Sequence, residues 1–355
     1  DNFDWPWIFY INLPLGMIAG LMVWSYVRNS ELHQKATSVD WLGIGLLTTG
    51  VGALQWMLER GERYDWFESR FVTALGVTAF VSFAWLVYHE LTTEEPVINF
   101  RVLHSRQLAT GVAMASLLGF ALFGSVFVLP VFLQGLHGFT ANQTGLVILP
   151  GAISSAITMA VLGRFASKFD ARPLIVIGVL GFLWCMWRLS LLSYDSGADD
   201  LFWPLVARGV SLGLIFIPLT GASMAELKPW EIPQGTGMFN LMRQLGGSMG
   251  IAIVATLLSR FTAQSKSVLT EHVGMIDPEV LARVDGITRA MVARGMNPAS
   301  AHAMALRMID RSVSAQASVL AFSKIYLLSG IMLCCAIPLM LFWKHGKGRA
   351  AVQAH

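Results

Sequence analysis

The sequence predicts an all-α polytopic membrane protein, and three observations carry that reading. Nine apolar stretches of about twenty residues fill most of the chain, the length an α-helix needs to cross a bilayer. Hydrophobic residues make up 55% of it and charged residues 13%, against about a quarter charged in a soluble domain. The breaks between stretches are short and polar, and their basic residues are unevenly divided between alternate breaks.

The predicted spans are 6–27, 40–58, 71–89, 108–133, 142–162, 173–193, 201–222, 235–258 and 322–343. The first opens on Pro6, which is sterically comfortable at a helix start. The second is crowded with Gly43, Gly45, Gly50 and Gly52, small residues that let helices approach closely. Pro130, Pro150 and Pro218 fall inside the fourth, fifth and seventh spans, where each removes one helix hydrogen bond and reads as a fixed kink or a hinge. Gly209 with Gly213, and Gly246 with Gly250, form G-x-x-x-G pairs in the seventh and eighth spans. Trp5, Trp7, Trp41, Trp66, Trp203, Trp230 and Trp343 lie near span ends, where an indole buries its ring and hydrogen-bonds at the headgroups.

Segments 28–39, 90–107, 163–172, 223–234 and 344–355 fall on one side and together carry eleven Lys and Arg residues. The opposing breaks 59–70, 134–141 and 194–200 carry only Arg60, Arg63 and Arg70. The first side is therefore predicted to be cytoplasmic, with the acidic turn 194–200 and the long connection 259–321 outside. Within that connection Val280, Leu281, Val284 and Ile287, then Ala299, Ala303, Leu306 and Ile309, are spaced for a helical hairpin broken at Gly295-Met296-Asn297-Pro298. It reads either as a surface cap or as a docking or gating element.

Composition excludes several other classes. A net charge of +3 with scattered basic residues does not make a nucleic-acid surface, so acidic contacts are expected with lipid headgroups. Cys185, Cys334 and Cys335 all lie in spans, without the spacing of a disulfide framework or a zinc site. Gly246-Gly247-Ser248-Met249-Gly250 matches the nucleophile elbow letter for letter, but it lies within a long apolar helix rather than a strand–turn–helix. His89-Glu90 lacks the second histidine of a zinc-protease motif, because Thr93 stands there. The chain thus reads as a non-enzyme that needs no metal or cofactor.

The sharpest candidate site is on the eighth span. Asn240, Arg243, Gln244, Gly247 and Ser248 are spaced i, i+3, i+4, i+7, i+8 and share one helix face. An arginine within the apolar layer is costly unless it meets a carboxylate, backbone carbonyls or a water-filled cavity, so Arg243 marks a cavity or gate. The alternative is that it snorkels to the cytoplasmic headgroups from the inner helix end. Arg188 and Arg208 are closer to the outer surface, where snorkelling is the expected behaviour, Arg188 with a cation–π contact to Trp184; an intramembrane transport role is the other reading.

Three segments resemble a known family. Trp5-Pro6-Trp7-Ile8-Phe9-Tyr10-Ile11-Asn12-Leu13-Pro14-Leu15-Gly16 is similar to the W-x-W-I-F-x-I-N-x-P-x-G signature of drug/proton antiporters in the major facilitator superfamily. Leu129-Pro130-Val131-Phe132-Leu133-Gln134, followed by Gly138-Phe139-Thr140-Ala141 and Pro150-Gly151, resembles the start of that family's C-terminal half. Phe239-Asn240-Leu241-Met242-Arg243-Gln244-Leu245-Gly246-Gly247-Ser248 resembles its penultimate helix. With nine spans and a long loop before the last, the chain is similar to the fourteen-helix EmrB/QacA type, departing from it at Pro6, where a basic residue is frequent.

The resemblance implies the major facilitator fold from helix six onward. Residues 1–27 would be the last helix of the N-terminal bundle, 28–107 two linking helices with their cytoplasmic connections, 108–343 the C-terminal six-helix bundle and 344–355 a cytoplasmic tail. Helices one to five would precede Asp1, and the chain, without initiator Met or signal peptide, reads as beginning inside a longer protein. Implied too is proton-coupled export of hydrophobic or amphipathic drugs across a bacterial inner membrane by alternating access, powered by the proton gradient without a cofactor. Partners would be small hydrophobic substrates, the bilayer, and an EmrA-type periplasmic adaptor with an outer-membrane channel. Arg164, Lys168, Asp170 and Arg172 resemble a degenerate copy of the superfamily's cytoplasmic gate loop, although the positive-inside rule accounts for its charges equally. Met114, Phe120, Phe123 and Phe127 would supply a soft cavity wall, or ordinary packing. The spans hold no mid-membrane Asp or Glu, so the coupling acid is expected in the missing helices. A dedicated metabolite exporter and, more remotely, a non-transporting scaffold or enzyme are the alternatives.

Overall fold

The computed structural model describes residues 6–26, 39–93, 96–165, 169–194, 196–272, 278–340 and 343, and these residues contain helices and no strand. In chain order the helices are α1 (Trp7–Tyr10), α2 (Asn12–Tyr26), α3 (Trp41–Arg60), α4 (Arg70–Thr92), α5 (Arg106–Leu136) and α6 (Ala141–Phe165). They continue with α7 (Ala171–Ser190), α8 (Ala198–Met224), α9 (Ile232–His272), α10 (Pro278–Val292), α11 (Pro298–Cys334) and α12 (Ala336–Leu339). Eight helical segments among the described residues are long and apolar enough to cross a membrane, against nine predicted spans. The difference is the first, which is divided at Ile11 into α1 and α2; Pro14 has no N–H for the carbonyl of Tyr10, so the helical ladder is interrupted there.

Helices α5, α7, α8, α9 and α11 form a bundle, with α6 packed against α8. Its interior holds Met114, Leu129, Phe132 and Leu133 of α5, Phe182 and Met186 of α7, Phe239 of α9 and Tyr326 of α11. In lipid, close packing rather than exclusion of water holds such helices together, and small residues permit it. A Cβ at Gly246 would fall on the carbonyl oxygen of Ser116, and one at Gly250 would lie 2.6 Å from that of Phe120, so α9 presses directly on the α5 backbone. The helices run through Pro130, Pro150 and Pro218 without ending. Helix α5 closes at Gly138, whose φ of 67° is unstrained only without a side chain.

Two membrane helices extend well beyond their apolar parts. At 1.5 Å per residue the 41 residues of α9 span about 61 Å and the 37 of α11 about 55 Å, nearly twice a hydrocarbon layer of ~30 Å. The expected hairpin in the long connection is present, but its second arm is the first part of α11. Helix α10 packs against α11, and the buried alanines there are Ala301 and Ala305, not the expected Ala299 and Ala303, which are exposed. A surface ion pair of Lys266 with Asp310, 2.8 Å, joins the extensions of α9 and α11.

Helices α3 and α4 form a separate pair, with α3 also touching α9. Asp40 caps α3 by accepting from the Gly43 amide (2.8 Å), while His89 of α4 places Nε2 3.0 and 3.1 Å from the two Asp40 oxygens. Beside them Glu90 is buried and accepts the Ile98 amide (3.2 Å), folding the following loop onto the helix end. The Gly43 amide, with His89 beside it, holds the Asp40 carboxyl below the usual carboxylate range against a smaller opposing effect of burial. Asp40→Ala is expected to cost about 1 kcal/mol of stability through the lost cap. A carboxyl whose pKa is lower in the fold contributes fully above its unfolded pKa and loses that contribution as pH falls through the folded value. The melting temperatures of the wild type and Asp40→Ala should therefore differ at neutral pH and converge on acidification.

Candidate functional site

Arg243 lies eleven residues into α9, about 17 Å along the helix and within the apolar span expected over 235–258. The guanidinium lies between two aromatic rings. Its central carbon is 6.0 Å from the ring centre of Phe123 on α5 and 5.8 Å from that of Phe216 on α8, within cation–π range. One terminal nitrogen is 3.5 Å from the Asn240 side-chain oxygen, a marginal hydrogen bond, and Nε has no partner among the described residues. No carboxylate lies within ion-pair distance of it among the described residues.

The rest of this face follows the helical spacing. Asn240 donates to the Thr236 carbonyl (3.1 Å) and Ser248 to the Gln244 carbonyl (3.2 Å). Asn240 and Gln244 are exposed, Arg243 and Ser248 are half-buried, and Gly246 and Gly247 are buried towards α5. Gly247, expected on the polar face, instead packs with Gly246 against α5, Arg243 lies between α5 and α8, and of this face only Asn240 and Gln244 are exposed. The arrangement offers a cation, an amide pair and aromatic rings to an amphipathic molecule, and supplies no nucleophile–base pair.

Of the four apolar α5 residues, only Phe123 meets Arg243. Phe127 is half-buried against the bundle core, Met114 is buried inside it, and Phe120 is buried with its backbone against Gly250 of α9. Phe120, Phe123 and Phe127 are spaced i, i+3, i+7 and share one face of α5, whereas Met114 lies on another.

Arg188 is exposed near the end of α7, as snorkelling requires, but the expected stacking on Trp184 is not among the cation–π contacts of the described residues. Arg208 does not follow the snorkelling reading. It is 5% exposed, next to Cys185 of α7 and Tyr326 of α11, with Nη1 unpartnered among the described residues. The cause is helical phase: Arg208 shares a stripe with Leu212, Ile215 and Leu219, all buried, which turns it inwards rather than along the membrane normal.

At the other end of α7, Asp170 precedes the helix with an exposed side chain, and Arg164 is exposed at the end of α6. Lys168 lies outside the described residues. Arg172 donates to the carbonyl of Trp343, tying α7 to the end of the last helix, and no ion pair joins Asp170 to Arg164 or Arg172 among the described residues.

One ring at the site and one polar pair outside it escaped sequence reasoning. Phe216, the second ring over Arg243, sits in an apolar helix where an aromatic residue carries no distinguishing signal. Asp40 and His89 are 49 residues apart, and only the pairing of α3 with α4 brings them together. No group of three metal-ligating side chains occurs among the described residues.

The family described as Major Facilitator Superfamily matches residues 1–251. The multidrug export protein EmrB of Escherichia coli K12 is 30% identical over 360 residues, covering 100% of this chain and 68% of that protein. The fatty acid resistance protein FarB of Neisseria gonorrhoeae is 29% identical over 341 residues, covering 96% and 65%. The colistin resistance protein EmrB of Acinetobacter baumannii is 25% identical over 348 residues, covering 98% and 67%. The chain spans about two thirds of the length of these relatives.

Proposed function

The chain belongs to the Major Facilitator Superfamily, with EmrB-like relatives, and from that membership we propose that it forms part of an exporter of hydrophobic and amphipathic compounds. The single observation that carries this reading beyond membership is Arg243, within the expected apolar span, with Asn240 and Gln244 on an exposed face, which suits a polar path through the apolar layer. The relatives are named for multidrug export, fatty acid resistance and colistin resistance, and fatty acids and colistin each join an apolar body to polar groups. Export would proceed by alternating access of two bundles, driven by proton exchange at a bacterial inner membrane. Under this assignment 1–27 belongs to the N-terminal bundle, 28–107 links the halves, and 108–343 is the C-terminal bundle.

The test is accumulation of chemically diverse amphipathic drugs in an efflux-deficient bacterium expressing the complete gene. Lower accumulation that a protonophore restores supports proton-driven multidrug export. Unchanged accumulation across the set contradicts it. The unpaired guanidinium also favours a second reading, export of one class of anionic metabolite, and a panel in which only anionic amphiphiles are extruded would select it.

We also propose that the extensions of α9 and α11 with α10 dock a periplasmic adaptor of the EmrA type, and through it an outer-membrane channel. Helices about 55–61 Å long project far enough from the bilayer to present such a surface. Deleting 265–315 from the complete protein is expected to abolish adaptor pull-down with membrane insertion retained, and undiminished pull-down would refute the docking role.

A further inference from the structure

The ends of α7 and α8 enclose a cleft of about 420 Å³ that the export reading does not use. Helix α7 contributes Trp184, Trp187 and Arg188, and α8 contributes Asp199, Asp200 and Trp203. The spacing is helical on both sides: 184, 187 and 188 share one face of α7, and 199 and 203 one face of α8. A hydrogen bond from the Cys185 thiol to the Pro204 carbonyl (2.9 Å) fixes the two helices against each other just beneath it.

The 20 residues of α7 span about 30 Å, one hydrocarbon thickness, so its last turn and this cleft stand at headgroup level. By the distribution of positive charge that level is the outer leaflet. The three indoles are left uncovered, with Trp184 46%, Trp187 48% and Trp203 71% exposed.

The charges carry the argument. Arg188 and Asp199 line the same cleft, yet no ion pair joins them, and neither side chain has a hydrogen-bond partner among the described residues. Asp200 is engaged, because its carboxylate accepts the Gly197 amide (3.0 Å) and closes a capping box at the start of α8. A free guanidinium and a free carboxylate held apart across an aromatic cleft complement a molecule that carries an anion and a cation side by side above an apolar tail.

We propose that this cleft binds the headgroup of a zwitterionic phospholipid with a primary ammonium, such as phosphatidylethanolamine. The phosphate pairs with Arg188, whose guanidinium offers parallel N–H donors. The ammonium sits between Asp199 and the indole faces, where hydrogen bonding and cation–π attraction act together. The acyl chains run down the exposed surfaces of Trp184 and Trp187 into the bilayer.

The test is native mass spectrometry of the purified full-length protein, supplied with phosphatidylethanolamine or with phosphatidylglycerol of identical acyl chains. Wild type should retain phosphatidylethanolamine preferentially. Arg188→Gln and Asp199→Asn should each lower that retention about tenfold, the loss of one charge-assisted contact, with Asp199→Asn leaving phosphatidylglycerol unaffected. Both residues are exposed, so their replacement leaves the packed bundle intact, and unchanged melting of the variants would verify this. Equal retention of the two lipids by wild type overturns the proposal. So does retention that neither variant changes, or a loss confined to Asp199→Asn, which would mark a site for cations alone.

Discussion

Replacing Arg243 with alanine is expected to reduce export at least about tenfold, a change worth ~1.4 kcal/mol in the transport cycle, while leaving the protein as stable as wild type or more so. The two halves of that expectation have one cause. An arginine in the apolar layer costs several kcal/mol to desolvate, and here no carboxylate offsets the cost among the described residues. Two aromatic rings at 5.8 and 6.0 Å and one marginal contact to Asn240 return only part of it. A charge held on those terms is a burden on the fold that is retained for function. Arg243→Lys refines the test, because a lysine keeps the charge but presents a compact ammonium in place of a planar guanidinium that stacks on Phe123 and Phe216. It should fall between wild type and alanine. Drug accumulation in cells and melting in detergent, measured on the same variants, check both halves; lost export accompanied by a large drop in melting temperature would reassign Arg243 to a structural role.

The second large effect is expected at Gly246. A Cβ there meets the Ser116 carbonyl, a backbone atom that cannot rotate away, and the neighbouring turn is equally close, with Gly250 against Phe120. Gly246→Leu should therefore separate α5 from α9 and cost about 3 kcal/mol or more, the upper range of overpacking. The observable is loss of monodisperse protein after detergent extraction, with Gly246→Ala intermediate. Gly45→Leu supplies the control, since a Cβ at Gly45 meets nothing within 4 Å. Equal behaviour of Gly246→Leu and Gly45→Leu would show that the α5–α9 contact does not hold the bundle together.

The membrane helices were legible in the sequence because apolar length is a local property; α3 to α8 begin and end within a few residues of the expected spans. Helix ends beyond the bilayer were not. Polarity returns after residue 258, but 251–272 contains neither Gly nor Pro, so the hydrogen-bond ladder of α9 has no reason to stop where the lipid does. The polar face of α9 was visible because Asn240, Arg243 and Gln244 contrast with apolar neighbours. Arg208 was misread for the opposite reason: in a helix apolar on every side, no periodicity reveals which face turns inwards, and only the packing of α8 on α7 decides it. Spacing sets Met114 apart from Phe120 and Phe123, which share a face of α5, but it does not tell that Phe120 is buried and Phe123 half-buried.

A polar face of α9 that lines an aqueous path through the membrane must be reachable by water-soluble reagents. The direct test replaces Cys185, Cys334 and Cys335, introduces a single cysteine at Asn240 or Gln244, and measures its reaction with a membrane-impermeant thiol reagent. Ile177, exposed on α7, provides the lipid-facing control. The account predicts that cysteines at 240 and 244 react readily, are protected by an exported drug, and that the control does not react. Labelling at 240 and 244 as slow as at 177, or indifferent to drug, would contradict it.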